Sequence, residues 1–162
     1  MRKIFAAVVL SVAMLGVMPG VASANPTSTY TTVTGPSPYP WESPLTLGVS
    51  GSGVEESVDQ GPVVAKLAVN VQPPTTDPLY SQQFRLLTFG THTEIRWRNT
   101  ATGMSGTAVS DKSLQYPAGG AVIDTGIGTV EYTVIVTVGA FVPQINPQTV
   151  TASGVVQVDV RR

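Results

Sequence analysis

The sequence predicts an all-β fold, an antiparallel two-sheet sandwich of seven or eight strands. Three observations carry that expectation. Apolar and polar residues alternate with period two through much of the chain, a pattern that buries one face of a strand and wets the other. Gly and Pro turn signals divide these runs at spacings of about ten residues. After residue 24, no stretch shows the apolar stripe that a helix would need to pack.

The first 24 of the 162 residues stand apart from that pattern. Arg2 and Lys3 form a basic start, Ile4 to Val17 is an apolar run short of a membrane span, and Ala22-Ser23-Ala24 is a small-x-small cleavage signal. Residues 1–24 are therefore expected to be a secretory signal peptide, which makes the chain secreted, extracellular or associated with the cell envelope. The chain has no cysteine, which excludes lipid attachment at the cut, disulfides and thiolate metal sites together. Losing 24 residues leaves 138, and losing Arg2 and Lys3 leaves seven basic residues against ten acidic ones, a formal charge of −3. That charge offers no electrostatic footprint for nucleic acid or anionic lipid.

Residues 25–43, "NPTSTYTTVTGPSPYPWES", lack apolar periodicity, and Pro36, Pro38 and Pro40 favour polyproline or loop. This Pro/Ser/Thr-rich segment is expected to be extended, partly disordered and outside the sandwich, which then spans 44–162. Tyr39 and Trp41 are its candidate docking aromatics. Leu45, Leu47 and Val49 then begin the alternation. Val63, Ala65, Leu67, Val69 and Val71 continue it, with Lys66 and Asn70 on the opposite face. Gln72 to Pro78 is turn chemistry, and Gln83 to Phe89 is another apolar run. Asn99 to Gly103 reads as a hairpin loop, with a return strand over Ser105 to Ser110. Val130, Tyr132, Val134, Val136 and Val138 face inward, as do Val150, Ala152, Val156, Val158 and Val160. Pro143 and Pro147 place the stretch between those two strands in a loop.

Candidate chemistry concentrates in Thr91 to Asn99, which holds the only histidine. On a strand, His92, Glu94, Arg96 and Arg98 share the wet face, while Ile95 and Trp97 share the buried one. His92-Thr93-Glu94 matches the H-x-E of zinc deaminases, but their other ligands are cysteines. No G-x-S-x-G elbow supplies a serine for a catalytic triad. Glu55, Glu56 and Asp59 lie in a Gly/Ser-rich stretch expected to be a loop, without the ligand spacing of a dedicated calcium site. These residues point to no catalytic, metal or cofactor site.

Trp97 and the Asp124-Thr125-Gly126 turn ahead of Tyr132 resemble an immunoglobulin-like sandwich in architecture, over residues 44–160. The signal peptide, with the spacing of Trp97, Asn99, Thr102, Gly103 and Gly106, is also similar to small secreted actinobacterial proteins of unassigned role. That resemblance implies no activity. The expected function is a non-catalytic structural or binding module at or beyond the cell envelope, whose partner is an envelope or extracellular protein or glycan. His92, Glu94, Arg96, Arg98, Tyr39 and Trp41 are its candidate interaction surface. An oligomeric pore or envelope-inserted β-protein is the alternative reading, and Thr and Glu on the outward side of 129–137 argue against membrane insertion.

The secreted protein is expected to begin at Asn25. Intact-mass analysis of culture supernatant checks this, and recovery of the chain with Met1 still attached would overturn the assigned compartment.

Overall fold

The computed structural model describes residues 27–57, 63–74 and 87–160. Among them are eight strands: β1 (Ser28–Gly35), β2 (Leu45–Ser57), β3 (Val63–Gln72), β4 (Phe89–Asn99), β5 (Ser105–Leu114), β6 (Gly119–Ile123), β7 (Gly128–Ala140) and β8 (Gln148–Val158). They form two four-stranded antiparallel sheets, ordered β1-β2-β3-β6 and β5-β4-β7-β8. The expected sandwich is the fold. In the first sheet β1 and β6 are the edge strands, and in the second β5 and β8 are.

Alternation places the core as the sequence implies. Leu47 and Val49 on β2, Leu67 and Val71 on β3, Ile95 on β4, Val134 and Val136 on β7, and Val156 on β8 are all buried between the sheets. Each such side chain stabilises the fold by roughly 1.5–3 kcal/mol relative to exposure. Trp97 points the same way but is only half-buried. Its cross-strand neighbour is Gly106 on the edge strand β5, which has no side chain to cover the indole.

The structure departs from the expected tail. Ser28–Gly35 pairs with Leu45–Ser52 of β2, and Tyr39 lies in the core with 2% of its surface exposed. Residues 28–35 give no apolar alternation because Thr fills positions of both parities. Glu55 and Glu56 also lie on a strand rather than in a loop, because β2 pairs with β3 as far as Ser57. Glu56 binds Lys66, which lies diagonally across from it on β3. Gly51, one of the glycines that made this part of β2 read as a loop, has a packing reason. Tyr132 on β7 lies against Gly51 on β2 and Gly154 on β8, where any β-carbon would collide with its ring. The phenol then reaches Thr29 Oγ1 of β1, 2.6 Å away, and ties the two sheets together. The expected signal peptide, Asp59 and most of the Gln83–Phe89 run fall outside the described residues.

The β1–β2, β5–β6 and β7–β8 connections gather at one end of the sandwich. At the other end Thr27 N–H donates to Gln157 O (3.2 Å), and Gln157 N–H donates to Thr27 Oγ1 (2.7 Å). There too a fully buried Asn99 joins two turns. Its Oδ1 accepts from Ala101 N–H (2.9 Å) and Thr102 N–H (3.2 Å), capping the β4–β5 hairpin. Its Nδ2 donates to the carbonyls of Thr125 (2.8 Å) and Ile127 (3.1 Å) in the β6–β7 link. Not every buried polar group is so well served. The Thr91 and Thr93 hydroxyls are buried on the inner face of β4 with no partner among the described residues.

Two substitutions should move stability in opposite directions. Asn99→Ala is expected to cost about 3 kcal/mol, because it strands several backbone groups at once. Thr93→Val should gain about 1 kcal/mol by removing a hydroxyl that burial penalises. Urea melts measure both, and a loss of stability in Thr93→Val would mean that the hydroxyl has a partner.

Candidate functional site

The structure sorts the six candidate residues into two separate surfaces. His92, Glu94, Arg96 and Arg98 lie on the outer face of β4, as the alternation implies. The register then supplies neighbours that sequence alone does not. Asp111, His92, Thr137 and Thr149 form one cross-strand row, followed by Val109, Glu94, Ile135 and Thr151. Thr107, Arg96, Thr133 and Ser153 form the next, and then Ser105, Arg98, Glu131 and Val155.

Most of this face is internally paired. His92 Nδ1 lies 2.7 Å from Asp111 Oδ1. Arg96 Nε donates to Glu94 Oε1 at 2.6 Å. Thr133 and Ser153 bond through their hydroxyls at 3.0 Å, and Thr137 and Thr149 at 3.2 Å. These are exposed contacts, each worth at most about 1 kcal/mol. The His92–Asp111 pair has no third member: among the described residues no hydroxyl is hydrogen-bonded to the other ring nitrogen. Arg96, Arg98, Glu131 and Val155 line a shallow surface depression of about 510 Å³. Among the described residues, no cluster of three or more His, Asp or Glu side chains could hold a metal ion.

The second surface caps the end where the β1–β2 and β7–β8 loops meet. Tyr39 is its centre. Its ring lies 5.3 Å from that of Phe89 and 5.7 Å from that of Phe141, both edge-on, and 5.6 Å from that of Trp41. Such edge-on pairs add about 0.5–1.5 kcal/mol beyond their buried area. The phenol donates to Thr88 O at 2.5 Å and accepts from Phe141 N–H at 3.2 Å. Asn146 Nδ2 ties the loops together by donating to Pro38 O at 2.5 Å.

The rest of the cap faces outward. Trp41 is 74% exposed and Phe141 49%, with Ile145 and Val142 about as open as Phe141. Phe141 and Asn146 both have positive φ, 65° and 47°, a region costly for a side chain such as Phe. The β7–β8 loop can fold back because Gly90 and Gly139 are cross-strand partners. A β-carbon at either would strike the backbone of Val142 or Pro143. Trp41 therefore remains a candidate contact residue, whereas Tyr39 is the buried support beneath it. Phe141, Val142 and Ile145 escaped the sequence reading because Pro143 and Pro147 identify a loop without saying what it displays.

Burial holds the Tyr39 phenol above its ordinary pKa of 10.0. The hydrogen bond from Phe141 opposes that shift, and the Glu42 carboxylate adds to it. Comparison with protein-family models, with curated proteins and with solved structures finds no match for this chain.

A phenol whose pKa is raised on folding keeps its proton longer in the folded state than in the unfolded one. Its contribution is complete below pH 10 and is lost as pH rises above that value. Melting temperatures measured between pH 8 and pH 11 should thus fall more steeply for the native chain than for Tyr39→Phe. Parallel slopes would show that Tyr39 ionises as freely in the fold as outside it.

Proposed function

We propose that the chain is a secreted, non-catalytic binding module, holding a protein or glycan partner of the cell envelope through the apex formed by Trp41, Phe141, Val142 and Ile145. One observation carries the reading: an exposed aromatic cap is held rigidly on a buried tyrosine, with Phe141 kept in a strained backbone conformation. Exposed apolar side chains clustered at one place favour contact with another surface over water. Trp and Tyr also dominate interface energetics, because they bring large area at small entropic cost. Strain concentrated at such a place supports a role for it, since Gly or Asn would hold the same turn at positive φ more cheaply than Phe141 does.

The sheet faces support the module over a pore. Strand β4 presents His92, Glu94, Arg96 and Arg98 outward, and a charge on the lipid face of a membrane barrel costs up to about 2–4 kcal/mol. The signal peptide expected over residues 1–24 supports secretion.

Co-sedimentation of the secreted protein with purified cell envelope is the test. Trp41→Ala is expected to weaken retention by about 2 kcal/mol, the loss typical of an aromatic hot spot. Phe141→Asn should weaken it too while holding or raising the melting temperature, because Asn tolerates positive φ. Retention unchanged in both variants, or none for the native chain, would overturn the reading.

A further inference from the structure

The two sides of the sandwich are finished differently. On one side β1 and β8 are joined by the Thr27–Gln157 hydrogen bonds, and Tyr132 spans the gap to Thr29. On the other side the edges are β5, ten residues long, and β6, with only five. No hydrogen bond between those two strands occurs among the described residues. β5 pairs with β4 residue for residue from Ser105 to Leu114, so no bulge interrupts it, and it contains no proline. Alternate residues of such an edge turn their N–H and C=O groups away from the sheet, where only another extended chain can pair with all of them.

Beside this edge lies a depression of about 690 Å³, bounded by Lys112, Leu114, Asn70, Ala121 and Val122. Val122, on the outer face of β6, is 62% exposed and the inward Leu114 of β5 is 39% exposed, which leaves apolar surface open beside the edge. Lys112 has the same parity as Ala108 and Leu114, the side that faces the other sheet. Its ammonium has no partner among the described residues.

We propose that this open side is an acceptor site for an extended peptide strand of a partner polypeptide. The incoming strand hydrogen-bonds along β5, sets a carboxylate opposite Lys112 and places apolar side chains at the alternate positions that face the depression. Main-chain pairing supplies the affinity and the alternate side chains the selectivity, as in other cases of strand addition. A second copy of this chain is a poor occupant. Antiparallel pairing of β5 with itself keeps like faces together. The inward set of Gly106, Ala108, Ser110, Lys112 and Leu114 then brings a second lysine and no carboxylate. The site uses residues other than those of the apex, so either reading can fail alone.

The test maps backbone amide shifts of the full secreted chain on titration with the peptide Val-Thr-Val-Thr-Asp-Thr-Val-Thr. Saturable shifts confined to Ser105–Leu114 and Gly119–Ile123 are expected. Lysine in place of the peptide's aspartate should weaken binding about fivefold, the scale of one exposed ion pair. Lys112→Glu should invert that preference, and proline at the peptide's third and fourth positions should abolish binding, because one of the two removes a donor whichever parity pairs. Three results would overturn the proposal: shifts centred elsewhere, equal binding of the proline peptide, or concentration-dependent broadening of β5 signals without peptide, which would make a second copy the occupant.

Discussion

The phenol of Tyr132, reaching from β7 to Thr29 on β1, is the contact on which much of the sandwich's shape depends. A ring of that size fits between the sheets at their edge only if the strands beside it have no side chains there, and Gly51 and Gly154 meet that requirement. The contact draws β1, an edge strand of mostly polar residues, onto the second sheet. It also gives the molecule a closed side. Nothing comparable ties β5 to β6 among the described residues, so the opposite side keeps a bare edge and a half-covered Trp97. Charge on such an edge decides which strands can join it, and the inward Lys112 favours one that brings a carboxylate.

How far the sequence discloses this arrangement depends on which force decided each element. Strands β3, β7 and β8 are decided by burial, so their alternation is visible directly, and Leu67, Val134 and Val156 sit where period two puts them. Strand β1 is decided by pairing with a neighbour, and pairing leaves little trace in a Thr-rich string. Gly51 adds to a loop signal in β2 because a lack of side chain serves close packing as well as it serves turns. Tyr39 is hidden for a related reason: the prolines around it set a local backbone preference, while its burial comes from Phe89 and Phe141, 50 and 102 positions further along the chain.

The candidate surfaces divide along the same line. The outward set on β4 follows from parity alone and needs no tertiary information. That His92 meets Asp111 depends on the β4–β5 register, which the hairpin turn sets. The apex is the least legible part, since it joins two loops distant in sequence through ring packing and one Asn146 hydrogen bond. Of its exposed members, Trp41 alone could be singled out beforehand, as a large aromatic in a segment with no apolar face of its own.

The hydrogen bonds between Thr27 and Gln157 bring the two ends of the described fold side by side, at the pole opposite the apex. Strand β7 alone, with 13 residues, separates those poles by about 40 Å. A tether attached at either extremity therefore leaves the tip pointing away from its anchor. Tension drawn between the two extremities would open the β1–β8 junction first, bond by bond like a zipper, before any load reached the aromatic tip.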